Sequence, residues 1–311
     1  MVLICGDPYE AVTAFLCSRL TMLKIDHRVL DLGTFPESYS LEGPGNSGWL
    51  NGSITGADWQ VEFGELTGVY FRNVVDVPLD GSVGKGEQSQ TVDRPYPLTN
   101  LRISAVLNCL PCRVVNRPAS MYSNRSKPYQ ALIIRQFGFK IPRTVITNDP
   151  EPARSFYYEC GGKVIFKSIS GLRSTVRRLR EEDLGSLKFP ENSPTQFQEY
   201  LQGENIRVHV VGERLFAVRI RCDAVDYRYA GQEGYARIMV PQKLPEEVEN
   251  KCIRLTKEFG LAMAGIDLKE TPTGEYYCLE VNTSPAFPFY ESPTRPVVAD
   301  ALAQFLAQTD G

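Results

Sequence analysis

Residues 264–285, AGIDLKETPTGEYYCLEVNTSP, contain the pattern that decides the fold and its chemistry. Apolar stretches flank Pro272-Thr273-Gly274, so the segment predicts a β-hairpin. Because side chains alternate along a strand, Glu280 and Asn282 share a face, and the hairpin brings Asp267 alongside them. Two carboxylates and an amide oxygen are ligands that Mg²⁺ prefers, together with waters and substrate phosphates. The alternative is that all three are ordinary hydrogen-bonded polar groups at a sheet edge.

The segments before this hairpin contain groups that a nucleoside triphosphate needs. Lys167 lies near the end of the apolar stretch 163–168, KVIFKS, so its stem can be buried while its ammonium group reaches a phosphate. Lys127 precedes a predicted helix and is a second phosphate candidate. The extended stretch 198–201, QEYL, can present backbone N–H and C=O groups to an adenine edge. A single lysine is more often a solvated charge, so these features gain weight only together.

The rest of the pattern predicts an α/β (α+β) chain. A strand at 2–5, a helix over 12–23 and a strand at 27–32 predict a parallel α/β unit. Residues 33–67 show little pattern, and 78–97 are predicted to form an exposed loop. From residue 195 onward strands dominate. The other predicted elements are strands at 68–72, 112–116, 144–147, 163–168, 195–201, 206–211 and 214–221, and helices at 127–137, 150–161, 245–259 and 296–307.

Composition narrows the class of protein. With 311 residues and 42% hydrophobic content, the chain can build a sizeable core. Its net charge of -3 gives no overall attraction to nucleic acid or to an anionic membrane. The first residues lack a basic region followed by an apolar run, and no stretch of 18 apolar residues follows, so neither a signal peptide nor a membrane span is predicted.

The cysteines predict a reducing environment. Most of the eight lie in apolar patterned segments, where cysteine acts as a small hydrophobic residue. Cys109 and Cys112 form a C-x-x-C pair, but a zinc site would need a second pair of ligands, and the chain has only two histidines. Free thiols are therefore expected, and with them a cytoplasmic location.

Four segments in this order resemble the ATP-grasp superfamily, in the branch of the ribosomal-protein glutamate ligases and the graspetide macrocycle-forming ligases. They are 123–148 (SNRSKPYQALIIRQFGFKIPRTVITN), 163–168, 197–221 (FQEYLQGENIRVHVVGERLFAVRIR) and the hairpin segment 264–285. The resemblance implies an ATP-grasp fold in which two α+β lobes clasp the nucleotide. It implies a pre-ATP-grasp domain at 1–115, a central lobe at 116–194 and a C-terminal lobe at 195–311.

The resemblance also implies roles for individual residues. ATP is the implied cofactor with Mg²⁺, and Mn²⁺ is an alternative ion. The implied metal ligands are Asp267, Glu280 and Asn282. The residues expected to contact the nucleotide are Lys127, Lys167, Gln198, Glu199, Tyr200, Leu201, Glu204 and Asn205. The expected catalytic cations, facing phosphate and acyl phosphate, are Lys167, Arg219 and Arg221.

Two departures from the family pattern affect the nucleotide site. The family usually has an aspartate directly before Ile206, near the ribose; here Asn205 stands there with Glu204 beside it, so either can contact the ribose. The phosphate-covering loop is often glycine-rich, whereas 168–175, SISGLRST, has one glycine. Its serine hydroxyls, backbone N–H groups and Arg173 can still bind phosphate, and this loop is the candidate lid.

Substrate contacts are expected from four arginines: Arg72, Arg173, Arg207 and Arg228. Arg72 ends a predicted strand and can pair with a substrate carboxylate, but a surface arginine would look the same in sequence. Arg207 would be explained equally well by a structural ion pair. The sequence names no general base; Asp223, Asp226 and His209 are the candidates.

The implied reaction is ligation of a carboxylate to an amine through an acyl phosphate, with release of ADP and phosphate. Small-molecule and peptide substrates are both compatible with the sequence, neither nucleic acid nor membrane is expected as a partner, and a homodimer fits the resemblance. One alternative is a graspetide-type ligase that joins side chains of a ribosomal peptide by ester or amide bonds. Another is a non-catalytic ATP-binding module, against which the complete set of metal ligands argues.

Overall fold

The computed structural model describes residues 1–43, 52–72, 96–169, 176–187, 189, 193–224, 226–228, 230–231, 234–292 and 296–308, with side chains omitted for 96–102. The chain forms two compact units. The first comprises residues 1–121, 261–263 and 286–311, and the second comprises 122–260 and 264–285. The predicted division into three domains, with boundaries after residues 115 and 194, stays a prediction.

A four-stranded parallel sheet forms the centre of the first unit. Its strands lie in the order β2-β1-β6-β7, and helix α1 connects β1 to β2. This confirms the predicted parallel α/β unit. The elements of this region are β1 (Val2–Gly6), α1 (Ala11–Met22), β2 (His27–Asp31), β3 (Ser40–Glu42), β4 (Ser53–Thr55), β5 (Gln60–Glu62), β6 (Gly68–Phe71), α2 (Tyr96–Cys109) and β7 (Arg113–Val115).

The sequence did not predict the small antiparallel sheet β3-β4-β5. Each of its strands has three residues, too few to show a clear alternation. Its apolar side chains nevertheless enter the core of the first unit, where Ile54 and Phe63, which directly follows β5, are fully buried. The predicted loop at 78–97 lies mostly outside the described residues.

The second unit begins with a helix and a four-stranded antiparallel sheet in the order β10-β9-β11-β8. Helix α4 starts at a proline after Asp149, whose side chain accepts a hydrogen bond from Glu151 N, as the sequence predicts. The basic segment Arg177–Leu179 pairs with β9 as an antiparallel strand. The elements are α3 (Lys127–Gln136), β8 (Thr144–Thr147), α4 (Pro150–Glu159), β9 (Val164–Ser168), β10 (Arg177–Leu179) and β11 (Thr195–Glu199).

A five-stranded sheet in the order β14-β13-β12-β15-β16 completes the second unit. The predicted hairpin of 264–285 is present, and a second hairpin joins the predicted strands at 206–211 and 214–221; Gly274 and Gly212 have positive φ in the two turns. The elements are β12 (Glu204–Val211), β13 (Arg214–Cys222), β14 (Arg237–Gln242), α5 (Glu246–Glu258), β15 (Met263–Glu270) and β16 (Tyr276–Asn282); the last helix of the chain, α6 (Val297–Ala307), belongs to the first unit. Within the described residues, every helix is too short or too polar to be a transmembrane segment.

Candidate active site

A cavity of about 820 Å³ lies in the second unit, between its two sheets. Residues of β9 and β11 line it from the four-stranded sheet, and residues of β12, β15 and β16 line it from the five-stranded sheet. The residues on its wall that the sequence predicted as functional are Lys167, Gln198, Glu199, Tyr200, Leu201, Asn205, Arg228, Asp267 and Glu280.

The two predicted metal-binding carboxylates face each other across the hairpin. Asp267 on β15 is the direct register partner of Glu280 on β16, and a β-bulge follows Asp267. Asn282 pairs in register with Gly265, one step further along, and its Oδ1 accepts a hydrogen bond from Ser284 N at 2.9 Å. Two carboxylates with an amide oxygen nearby fit Mg²⁺, which takes few protein ligands beside waters and phosphates. In the described part of the chain, no cluster of three or more His, Cys, Asp or Glu side chains suits a metal ion.

Arg207 forms an ion pair with the Asp267 carboxylate. Its side chain is 4% exposed, and its Nη1 lies 2.9 Å from Asp267 Oδ1. Tyr227 also donates a hydrogen bond to this oxygen, at 3.4 Å. The guanidinium fits because residue 265 is glycine: a Cβ there would lie 2.1 Å from Arg207 Nη2. This geometry supports the ion-pair alternative, and direct substrate contact by Arg207 stays a prediction.

Two buried lysines supply positive charge. Lys167, on β9, is buried on the cavity wall, and burial lowers its pKa although Glu280 acts in the opposite direction. Lys127, at the start of α3, donates a hydrogen bond from Nζ to Ser168 O at 3.1 Å. Burial lowers the pKa of Lys127 to about 8, against the pull of Glu280. The electrostatic influence of Glu280 on both ammonium groups indicates that these charges share one region.

The extended segment 199–201, which is predicted to lie beside adenine and is called the hinge below, has few backbone groups available for a base. Glu199 N donates to Arg143 O, and Tyr200 N donates to Lys163 O at 2.8 Å. The Glu199 carboxylate accepts hydrogen bonds from Arg143, including one from Nε at 3.0 Å. In the described residues, the Leu201 N–H is the hinge donor without an intramolecular hydrogen bond, so it suits an acceptor atom of adenine. The apolar wall of the cavity includes Ile165, Val176, Leu268 and Leu279.

Lys269 is a wall residue that the sequence reasoning missed. Its Nζ donates a hydrogen bond to Asn205 Oδ1 at 3.1 Å and lies 6.0 Å from the centre of the Tyr200 ring. Burial lowers the pKa of this lysine. Arg178 lies over the same ring at 4.1 Å. The available signal was the position of Lys269 two residues after Asp267, on a strand already predicted to line the site.

Arg228 and Asp226 form a paired group on the cavity wall. The guanidinium contacts the Asp226 carboxylate through Nε at 2.8 Å and Nη2 at 2.6 Å, and this pairing raises the pKa of Arg228. Of the three candidate bases, Asp226 is the one on the wall, but it is held by this ion pair. His209 is 1% exposed, and burial lowers its pKa well below the usual value. Asp223 is exposed and does not line the cavity.

Other predicted residues lie away from the cavity wall. Arg219 pairs with Glu204 and Glu270, and Arg221 pairs with Glu204 through Nε at 2.9 Å. The hydrogen bond from Arg219 lowers the pKa of Glu204. This network lies on the five-stranded sheet, so contact of Arg219, Arg221 or Glu204 with nucleotide or substrate stays a prediction.

Arg72 belongs to the first unit and is 7% exposed, so the alternative of a surface arginine is wrong. Its Nη2 lies 3.0 Å from Glu10 Oε1. Burial tends to raise the pKa of Glu10, but the hydrogen bond and charge of Arg72 outweigh it and lower the pKa. Arg173 and most of the predicted lid lie outside the described residues.

The family assignment follows from comparison with known proteins. A sequence profile of the ATP-grasp domain matches residues 122–286, just over half of the chain. The chain belongs to the ATP-grasp family. It is an ATP-dependent ligase of the branch predicted from sequence, and its α/β fold is the one expected.

Two relatives with assigned names are each about a quarter identical to this chain. The chain is 26% identical over 202 residues to "Probable alpha-L-glutamate ligase 1" of Shewanella denitrificans, which covers 62% of this chain and 68% of the relative. It is 26% identical over 185 residues to the alpha-aminoadipate–LysW ligase LysX of Sulfolobus acidocaldarius, covering 56% of this chain and 66% of that one. The chain therefore spans about two thirds of the length of these relatives.

Solved structures match over nearly the whole chain. The ATP-grasp ligase PsnB complexed with a minimal precursor has a TM-score of 0.78 and 25% identity, covering 98% of this chain and 97% of PsnB. A further PsnB structure contains the minimal precursor, Mg and ADP. The macrocyclase MdnC of Microcystis aeruginosa MRC, bound with precursor peptide MdnA, has a TM-score of 0.79 and 23% identity, covering 99% and 100%. The MdnC match shows the fold alone.

Proposed function

We propose that this chain uses ATP to activate a carboxylate as an acyl phosphate and joins it to an amine. The observation that supports this most strongly is the register pairing of Asp267 with Glu280 on a cavity wall that also carries Lys167. Carboxylates for a divalent ion and cations for phosphates thus line one cavity. A non-catalytic ATP-binding module would have little need for the complete set of predicted metal ligands, Asp267, Glu280 and Asn282.

The reaction has two balanced steps. A carboxylate oxygen of the substrate attacks the γ-phosphorus, the bond from that phosphorus to the β–γ bridging oxygen breaks, and ADP leaves. The amine then attacks the acyl carbon and loses a proton, and inorganic phosphate leaves. Lys167 and Lys127 bind phosphate oxygens in a position fixed by burial, which provides electrostatic stabilisation without reorganisation. A divalent ion held by Asp267, Glu280 and Asn282 would neutralise the remaining phosphate charge.

The substrate carboxylate is expected at Arg228. Its guanidinium is fixed by the two-point contact with Asp226, while its side chain is still 46% exposed. An arginine held in this way presents a planar donor group to a carboxylate. The hinge at 199–201 and the apolar residues Ile165 and Leu279 would hold the adenine. Arg219 and Arg221 remain candidates for contact with the acyl phosphate, and Arg72 remains a candidate for contact with the substrate.

Glu280→Gln tests the carboxylate pair. The variant keeps the shape of the side chain and removes its charge, so the rate of ADP release should fall by about 10³-fold, as for other removed groups that stabilise transition-state charge. Glu258→Gln is the matched control, because Glu258 is an exposed glutamate on α5 and should leave the rate unchanged. Full ADP release by Glu280→Gln, in protein that unfolds at the wild-type temperature, would contradict the assignment of the metal ligands.

A peptide substrate is the second candidate, and one observation favours it. The likeness to PsnB, solved with a precursor peptide, covers 98% of this chain with a TM-score of 0.78 and 25% identity. In this version the carboxylate and the nucleophile are both side chains of one peptide. Graspetide-type ester or amide links then follow from the same acyl phosphate.

Product mass separates the two candidates. The protein is incubated with ATP, Mg²⁺ and either mixtures of amino acids or synthetic peptides rich in Asp, Glu, Thr, Ser and Lys. An intramolecular link leaves the peptide one water lighter, whereas ligation of a free amino acid makes the acceptor heavier. ADP release without either product, across both sets, would count against both substrate classes.

A further inference from the structure

One buried polar side chain of helix α3 contacts strand β16. Gln130 is only 2% exposed. It lies three residues after Lys127 and four before Ile134, so these three buried residues share one face of α3. A buried amide is stable only when both its donor and its acceptor atoms have hydrogen-bond partners. The partners of Gln130 therefore show what the side chain does.

Gln130 has both partners in a single residue of β16. Its Nε2 donates a hydrogen bond to Val281 O at 2.7 Å, and its Oε1 accepts one from Val281 N at 3.1 Å. These two partners fix the orientation of the amide, because only its nitrogen can donate to a carbonyl and only its oxygen can accept from an N–H. The side chain thus pairs with Val281 as a residue of a neighbouring strand would.

This pairing covers an edge strand. β16 ends the five-stranded sheet, next to β15, and Val281 lies opposite Ile266 there. The N–H and C=O groups of one residue in an antiparallel strand point to the same side, so both groups of Val281 point away from β15 and towards α3. Nearer the start of β16, Lys140 O covers the edge by accepting a hydrogen bond from Cys278 N at 2.9 Å. Native proteins commonly protect sheet edges by such contacts.

A β-bulge separates the two contacts along this edge. Glu280 and Cys278 pair with consecutive residues of β15, so Leu279 is the extra residue on β16. A bulge interrupts the ladder and lets a strand bend, so the contact at Cys278 does not by itself fix the chain beyond Leu279. Gln130 contacts the strand beyond the bulge, in the segment that carries Glu280 and Asn282.

Val281 lies between these two predicted metal ligands. Its N–H belongs to the peptide unit shared with Glu280, and its C=O belongs to the unit shared with Asn282. Because peptide units are planar, the two hydrogen bonds fix both planes and with them the directions in which the flanking side chains leave the strand. The helix that carries Gln130 also carries Lys127, one of the two lysines proposed to bind phosphate. The amide therefore ties a phosphate-binding helix to a metal-binding strand.

Resting on the proposed function, we propose that Gln130 is a positioning residue for the divalent ion: its amide clamps the Val281 backbone and so holds Glu280 and Asn282 in the geometry that binds the ion. Gln130 acts through the strand, since its amide atoms are engaged by Val281. Groups that orient metal ligands in this way typically contribute about 10- to 100-fold to metal affinity. An effect of that size is expected here, and it should be confined to the metal.

Binding of Mn²⁺ in the presence of ADP tests this without a carboxylate substrate, and the electron paramagnetic resonance signal of free Mn²⁺ measures it. In Gln130→Met, which has a side chain of similar length without the amide, the dissociation constant of Mn²⁺ should rise about 10- to 100-fold. Affinity for ADP in EDTA should stay within about threefold, because Lys127 and Lys167 are unchanged. Gln136→Met is the matched control, since Gln136 is exposed on the same helix and should leave both affinities unchanged.

Hydrogen exchange of the Val281 amide reports on the clamp itself. Its exchange rate should rise about tenfold or more in Gln130→Met. If this variant unfolds at the assay temperature, Gln130→Asn replaces it. That side chain keeps the amide but is one methylene too short for both hydrogen bonds, so the dissociation constant of Mn²⁺ should rise about threefold or more.

The outcomes separate this inference from the proposed function. Equal losses of Mn²⁺ and ADP binding would indicate a merely structural role and would overturn the proposal. Unchanged Mn²⁺ affinity in a variant whose Val281 amide exchanges faster would overturn it too. Absence of Mn²⁺ binding by the wild-type protein with ADP would instead contradict the assigned metal ligands, and with them the proposed function itself.

Discussion

Lys127 gives the site a dependence on pH that can be worked out from the structure. Burial lowers the pKa of its ammonium group to about 8, well under the ordinary value of 10.5. The protonated lysine attracts phosphate, and the neutral one does not, so ATP affinity should fall as the pH rises past 8. With a pKa near 8, the charged fraction is roughly nine tenths at pH 7, one half at pH 8 and one tenth at pH 9. The dissociation constant of MgATP should therefore rise about tenfold between pH 7 and pH 9.

Calorimetric titration with MgATP at pH 7, 8 and 9 measures this directly, because the pKa that matters is that of the nucleotide-free protein. Lys127→Arg is the control, since a guanidinium keeps its charge throughout this range and should give a nearly constant affinity. Lys167, whose pKa burial also lowers, is unchanged in this variant, so any slope that remains belongs to other groups. A wild-type affinity that is constant across this range, or an equal slope in Lys127→Arg, would refute the reasoning.

Three further substitutions test individual contacts. Gly265→Ala should displace the Arg207 guanidinium from Asp267, because the new Cβ would lie 2.1 Å from Nη2. The Mg²⁺ concentration for half-maximal ADP release should then rise about 10- to 100-fold. Gly185→Ala is the control, because Gly185 has open space around it, and this variant should leave that Mg²⁺ concentration unchanged. Lys269→Met should raise the KM for ATP about tenfold with little change in kcat, since it removes a charged donor from Asn205 beside the hinge, and an unchanged KM would show that Lys269 is only structural. Gly68→Ala places a Cβ 2.5 Å from Leu306 O, so urea unfolding should show a loss of about 1–3 kcal/mol or more, against a negligible loss in Gly43→Ala.

Local pattern was sufficient to predict the hairpin and the main strands. Glu280 and Asn282 follow the two-residue period of a strand, and a turn of Pro272-Thr273-Gly274 sets where the chain reverses, so pairing with Asp267 follows from sequence alone. Lys167 was predicted from the apolar strand that precedes it, and the structure places it buried on the cavity wall. These features depend on residues that are near each other in the chain.

The features that the sequence did not reveal depend on pairing between distant segments. The contact of Arg207 with Asp267 requires β12 to lie beside β15, and nothing local in either strand specifies that neighbour. The same adjacency brings Lys269 to Asn205. The ion pairs of Arg219 could not be predicted for a related reason, because its partners Glu204 and Glu270 lie on two different strands. Period and turn signals give the elements, whereas sheet order is decided by packing of the whole unit.

The charges around the carboxylate pair predict that this cavity binds a nucleotide together with a divalent ion more tightly than either alone. Lys127 and Lys167 are buried, and the negative charge of Glu280 acts on the pKa of both, while Arg207 already pairs with Asp267. A free triphosphate would meet the two carboxylates at close range, and a free divalent ion would meet the two ammonium groups; each contact is unfavourable in a buried site. When both arrive together, the ion screens the carboxylates from the phosphates, and the lysines balance the remaining negative charge. Binding of the two should therefore be mutually favourable, which follows from the charges alone and requires no change of conformation.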